Sequence, residues 1–302
     1  MKNFFIVLLL LAAVAITCIY IFIPSNITVS AVTTANAPAS SLYRYVNNKN
    51  TWSEKLVPNN SLFKEYTVSS SVQNAVDVVL RDGNDTVNTK LILIFPGGDS
   101  TIVHWDCSLV AGANPFSRLH AYNKAVDIKK SMDSVLSKLK SLTNDPANIY
   151  GIHITKASTK DTILISTKTM FNHYPSTNEI YSLVNKLNDY AVKSDALVTG
   201  NPMYNVTPDE KDSVRLMTAL PVNKLLRQTN SIMQMRMIPG NFLITQVSGG
   251  EATVREALAQ MQNFISDNNK TTMAISFSYL VTNRINEPDT TKWITKIYIP
   301  VY

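Results

Sequence analysis

The chain has 302 residues, 45% hydrophobic and 17% charged, which excludes a disordered polar chain and gives length enough for two cores. Lysine and arginine exceed aspartate and glutamate by 28 to 22, yet the basic residues are scattered and never form a run of five. Lacking such a patch, and lacking helix-turn-helix or zinc-finger spacing, the chain is not expected to have nucleic acid as a partner.

Phe4–Ile23 reads FFIVLLLLAAVAITCIYIFI and carries no charge. As a helix rising about 1.5 Å per residue, it would cover about 30 Å of hydrocarbon. Lys2 precedes the run and the next basic residue is Arg44. This pattern predicts a single-pass membrane anchor over residues 1–25, with the bulk of the chain on the extracytoplasmic side. A cleaved signal peptide has a shorter apolar core and a small-residue cleavage site, whereas here the run continues to Pro24. VAIT before Cys18 is a poor lipidation box, and cleavage and lipidation stay open beside the uncleaved anchor. Cys107 is the other cysteine, so the part outside the membrane is expected to fold without a disulfide framework.

Residues 26–145 read as one domain. ITVSAVTTA alternates Ile27, Val29 and Ala31, the period of a half-buried strand. APASSLYRYVNN follows as a short helix, with Asn36 as its expected cap and Pro38 in its first turn. Four strand-like runs come next, LFKEYTVSS, NAVDVVLRD, TKLILIFPG and STIVHWDCSLV, with turns at Gly83-Asn84 and Gly97-Gly98. A long amphipathic helix closes the domain, its apolar face carrying Ala125, Ile128, Met132, Val135, Leu136 and Leu139. Trp105 and Cys107 share a strand face with Val103 and Leu109, which favours core over reactivity. Through VSAVTTANAPASSLYRYVNNKNTWSE, the His104-Trp105 strand and NPFSRL, residues 27–143 resemble the START-like superfamily, also called SRPBCC or polyketide cyclase proteins. The resemblance implies a helix gripping a curved sheet, with room for a hydrophobic ligand between them.

Residues 149–302 contain a repeat. DTILISTKTM and GNFLITQVSG are strands in which Ile165 matches Ile244, an offset of 79. Each precedes an amphipathic helix, with Ile180, Leu183, Val184, Leu187 and Ala191 in one and Val254, Leu258, Met261 and Ile265 in the other. Each helix leads into two further strands that end in Pro-Val, at Pro221 and Pro300. Two β-α-β-β units, over about 151–223 and 233–302, are the reading, and the fold class of the whole is α+β. Through ISFSYLVTNRINEPDTTKWITKIYIPV, this half resembles the gyrase-inhibitor-like domain, also known as the AraC-type effector-binding domain. That resemblance implies a small-molecule groove where the repeats meet and helices on the far side of the sheet.

Strand parity then separates two faces. Trp293, Thr295, Ile297, Ile299 and Val301 form the bulky face, as do Val214, Leu216, Thr218, Leu220 and Val222 in the first repeat. The other face carries Lys296 and Tyr298, with Arg215 and Met217 opposite. With Tyr204, Ser278 and Tyr279 these are the expected ligand-binding residues. The family's closing strand commonly has glutamate where this one has Lys296, and its preceding strand has glutamate where this one has Ser278. Both carboxylates are missing, so the expected ligand is anionic or amphipathic rather than cationic. Lys296 reaching out to solvent at the groove mouth is the alternative. Glu179 and Glu251 fall at helix starts, where favourable charge at the N-terminus suffices as their role. His104, His120, His153 and His173 are isolated, FPGGDS lacks a phosphate-loop lysine, and no general base stands out. No metal, cofactor or catalytic residue is therefore expected. A membrane-anchored small-molecule-binding protein is the main reading, with a small-molecule hydrolase or a non-catalytic cell-envelope partner as alternatives.

Overall fold

The computed structural model describes residues 2–58, 61–83, 85–210, 212–237, 239–272 and 274–302. The chain divides into two compact units, Met1–Asp145 and Pro146–Tyr302.

The first unit opens with α1 (Lys2–Phe22), whose apolar residues are exposed along its length. Phe4–Phe22 is long and apolar enough to cross a membrane, a property that an N-terminal signal sequence shares. Strand β1 (Asn26–Ala35) follows, burying Val29, Ala31 and Ala35 on one face. Helix α2 (Ala39–Asn47) begins after Pro38, which caps it without a side-chain bond. Asn36 is not the cap. Its side chain instead donates to Asn144 Oδ1 at 2.8 Å, and its amide reaches Thr143 Oγ1. The short α3 (Lys49–Thr51) runs into a wide turn at Trp52–Leu56.

Strands β2 (Glu65–Val72), β3 (Ala75–Asp82), β4 (Asp85–Ile94) and β5 (Thr101–Val110) then form an antiparallel sheet ordered β1-β5-β4-β3-β2. Gly97 and Gly98 take φ of 104° and 78°, a region glycine enters without the Cβ penalty, in the turn before β5. Asn84, half of the other expected turn, lies outside the described residues. Helix α4 (Pro115–Leu142) is capped by Asn114, whose side chain accepts from the Phe116 amide at 2.8 Å. All six expected apolar residues of α4 are buried.

The sheet's inner face carries Trp105, and both it and Trp52 are fully buried. Their centroids lie 5.6 Å apart, with Tyr66 stacked on Trp52 at 6.1 Å. Each indole N–H is satisfied, Trp52 by the Val46 carbonyl and Trp105 by Thr89 Oγ1, both at 2.7 Å. Beside them burial pushes the Cys107 thiol up to about 11, so it stays protonated and inert.

The second unit starts with the turn α5 (Ala147–Tyr150) and strand β6 (Thr155–Ser158). The first repeat comprises β7 (Thr162–Phe171), α6 (Thr177–Lys193), β8 (Met203–Pro208) and β9 (Val214–Val222). After β10 (Met233–Met237), the second comprises β11 (Asn241–Ser248), α7 (Glu251–Asp267), β12 (Phe277–Leu280) and β13 (Ile294–Pro300). Ser176 and Glu179 close a reciprocal capping box at the start of α6.

One eight-stranded antiparallel sheet holds both repeats, ordered β10-β7-β9-β8-β12-β13-β11-β6. The edges are exchanged. β6 precedes the first repeat yet pairs with β11 of the second, and β10 precedes the second yet pairs with β7 of the first. Each repeat is thus β-β-α-β-β with its opening strand lent to its twin, one strand more than the sequence pattern shows. Helix α7 covers Leu243, Ile297 and Ile299, while α6 covers Ile165, Leu220 and Val222.

Candidate functional site

Antiparallel partners share a face, so register alone sorts the side chains of the second unit. Thr295, Ile297 and Ile299 oppose Val247, Thr245 and Leu243 on the helix-covered face. Lys296 and Tyr298 fall on the other, opposite Gln246 and Ile244 on one side and Tyr279 and Phe277 on the other. In the first repeat, Met203 pairs with Ala219 and Asn205 with Met217, again on the face away from the helices.

That open face holds a cavity of about 540 Å³. Four methionines line it, Met203, Met217, Met235 and Met237, with Leu164, Ala219, Phe242, Phe277, Ile275 and Pro300. Methionine side chains are unbranched and polarizable, so such a wall adapts to ligands of different outline. Phe277 stacks on Tyr298 at 5.2 Å, with their planes 10° apart, and Phe242 and Tyr279 meet this pair edge-on. The polar contributions are few. Asn205 donates to the Ser276 carbonyl at 2.8 Å, and Arg236 makes a forked pair with Asp161. That guanidinium holds the Asp161 carboxyl below the usual carboxylate range. No carboxylate side chain lines the cavity among the described residues.

Of the expected ligand-binding residues, Met217 lines the cavity, and Tyr204 reaches it only from across the sheet. Tyr279, Tyr298 and Lys296 share the cavity's face and continue it along the strands, with Lys296 half-buried beyond Tyr279. Burial pushes both tyrosine hydroxyls up, so they remain neutral. Arg215 shares the parity of Met217 but is exposed and ion-paired with Asp209 in the β8–β9 turn. Tyr204 and Ser278 do not belong on this face. They pair with each other and lie under the helices, 3% and 4% exposed. Ser278 follows Phe277 and precedes Tyr279, so strand alternation turns it the other way.

Beneath the helices lies a polar cluster that sequence reasoning missed. Glu251, the first residue of α7, pairs with Arg284, whose side chain is 1% exposed. The Tyr204 and Tyr174 hydroxyls donate to the same carboxylate at 3.0 and 3.1 Å. Arg284 also donates to Thr295 Oγ1 at 2.8 Å and stacks against Trp293, 4.9 Å from its ring centroid. Its amide reaches Tyr181. Burial, reinforced by the Glu251 charge, pushes the Tyr204 and Tyr174 hydroxyls well above the ordinary phenol range. They therefore stay protonated and serve as donors. Glu251 does more than favour a helix start: it anchors the long β12–β13 connection to α7.

No family model matches the chain, and no curated protein matches its sequence. Among solved structures, the C-terminal domain of EcmrR is similar over 50% of this chain and 98% of its own, with 14% identity and a TM-score of 0.44. SAV2435 bound to tetraphenylphosphonium is similar over 50% of this chain and 94% of its own, with 13% identity and a TM-score of 0.35. The Zhui aromatase/cyclase from Streptomyces sp. R1128 is similar over 40% of this chain and 96% of its own, with 8% identity and a TM-score of 0.30.

Proposed function

We propose that the second unit binds a flat, largely apolar small molecule on the open face of its sheet. The cavity of about 540 Å³, walled by methionine and aromatic side chains, carries this reading. Its size suits a small-molecule site, and its few polar groups suit orientation more than charge pairing. A cationic ligand would find no carboxylate side chain in the lining among the described residues, whereas an anionic tail directed along the aromatic row would meet Lys296. The first unit is given no such role, because Trp105 on the inner face of its sheet and Trp52 packed against it are both fully buried there.

Titrating neutral, anionic and cationic aromatic compounds by calorimetry tests both parts. Neutral or anionic compounds should bind best, and preference for cations would refute the charge assignment. Ala219→Trp puts an indole into the cavity from the middle of β9 and should weaken binding at least about tenfold, or about 1.4 kcal/mol. Retained affinity in a variant that still melts cooperatively would place the ligand elsewhere.

We also propose that α1 anchors the chain in a membrane with the residues that follow it on the extracytoplasmic side, opposite Lys2. Alkaline phosphatase fused after Asn223 should then be active. An inactive phosphatase, with an active cytoplasmic reporter at the same position, reverses the orientation.

A further inference from the structure

We propose that the first two turns of α4 dock on the surface of the bilayer that α1 enters. The inference rests on the reading of α1 as a membrane helix. Phe116, Leu119 and Tyr122 recur at three-residue spacing on the outward side of α4, 81%, 44% and 47% exposed. Val110, at the end of β5, stands 83% exposed and pairs with Asn26, four residues after α1 ends. Large apolar side chains left in water this way, together at one end of a unit, mark an interaction surface.

The rest of the same helix behaves differently. Its exposed positions beyond Tyr122 are polar, among them Asn123, Asp127, Lys130 and Asp133. The apolar stripe is therefore confined to the end nearest α1 and is not a property of the whole helix. Two contacts fix that proximity. Arg118, inside the stripe, donates to the Ile23 carbonyl at 2.7 Å, and its guanidinium lies 4.5 Å from the Tyr20 ring centroid. The Tyr20 hydroxyl in turn donates to the Ala113 carbonyl, just before the α4 cap.

The last turn of α1 and the first turns of α4 are thus held side by side. If α1 spans hydrocarbon from Phe4 onward, its last turn lies at the water interface, and the stripe lies at that depth. Tyrosine and phenylalanine on an amphipathic surface suit this zone, where one edge meets acyl chains and the other meets water. The nearby charges do not oppose it, because Lys124 is matched by Asp85 at 3.1 Å. Continuity with α1 favours lipid over a protein partner as the occupant.

The test uses the full chain with Cys18→Ser, leaving the buried Cys107 in place, and one added cysteine carrying an environment-sensitive fluorophore. Phe116→Cys and Leu119→Cys report the stripe, Lys130→Cys the polar part of α4, and Ala12→Cys the middle of α1. Each is reconstituted in phosphatidylcholine vesicles containing shallow or deep spin-labelled lipid. The labels at 116 and 119 should lose at least about half their emission to the shallow quencher, the label at 12 to the deep one, and that at 130 to neither. A quenched label at 12 with labels at 116 and 119 no more quenched than that at 130 overturns docking and leaves the anchor standing. Labels at 116 and 119 that shift to the blue without lipid quenching also overturn it, in favour of a protein partner. An unquenched label at 12 removes the anchor and the docking with it.

Discussion

Deleting Trp293–Tyr302 is expected to abolish the cooperative unfolding transition of the second unit, not merely to shorten a tail. β13 lies inside the eight-stranded sheet, hydrogen-bonded to β12 on one side and β11 on the other. Its removal would leave two interior edges open and uncover α7. Ile297 and Ile299, 0% and 1% exposed, contribute about 3–6 kcal/mol by burial alone, a large share of a domain's margin of about 5–15 kcal/mol. The Arg284 guanidinium loses the Thr295 hydroxyl and the Trp293 ring in the same step. Calorimetry on the truncated and intact chains reads the result directly. A truncated chain that keeps its transition at the same temperature would show β13 to be peripheral.

Arg284→Ala should destabilise the second unit by about 3–5 kcal/mol, the usual cost of removing one partner from a buried ion pair. The substitution leaves the Glu251 carboxylate, 18% exposed, with two tyrosine hydroxyls and without its ion-pair partner. It also opens a space between Trp293 and Tyr204, which the guanidinium now fills. Arg215→Ala provides the comparison. That side chain is 48% exposed, and its pair with Asp209 should be worth no more than about 1 kcal/mol. Denaturant midpoints at unchanged slope give both values. A loss below about 1 kcal/mol for Arg284→Ala would mean that the cluster is dispensable and that packing alone holds the β12–β13 connection.

How much of this was legible in the sequence depends on whether the signal is periodic. The 79-residue offset of the closing strands, the paired helices and the two faces of β13 follow from hydrophobic spacing, and the register supports that sorting of faces. In the opening strands the register corrects the match, since Leu243 and not Ile244 stands opposite Ile299 as Ile165 stands opposite Leu220. The exchanged edge strands escaped because TKAS in β6 is four residues long and exposed throughout, leaving no alternation to find. β10, read as MQMRM, alternates methionine with polar residues but lacks the β-branched composition that marks a strand. Met235 and Met237 of the cavity wall went unseen for the same reason, both lying in β10.

The misplaced site residues have a different cause. Ser278 and Tyr279 are neighbours in one strand and face opposite ways, so the family resemblance, which puts position 278 on the ligand side, conflicts with strand alternation, and alternation prevails. The Glu251–Arg284 pair could not be read at all. The two residues are 33 positions apart, in a helix start and a loop, and no periodicity connects them. Only burial distinguishes this arginine from the others, and burial belongs to the folded chain.

The exchange of opening strands also bears on ancestry. A polypeptide carrying a single repeat would present one vacant sheet edge and one strand with no home. Two such polypeptides would complete each other, each strand filling its neighbour's vacancy about a two-fold axis. The second unit has the connectivity of that swapped homodimer written into one chain, with residues 223–232 joining the two halves. Fusion frees the halves to diverge while the shared sheet keeps them together. The buried arginine in only one of the two inter-strand connections is such a divergence.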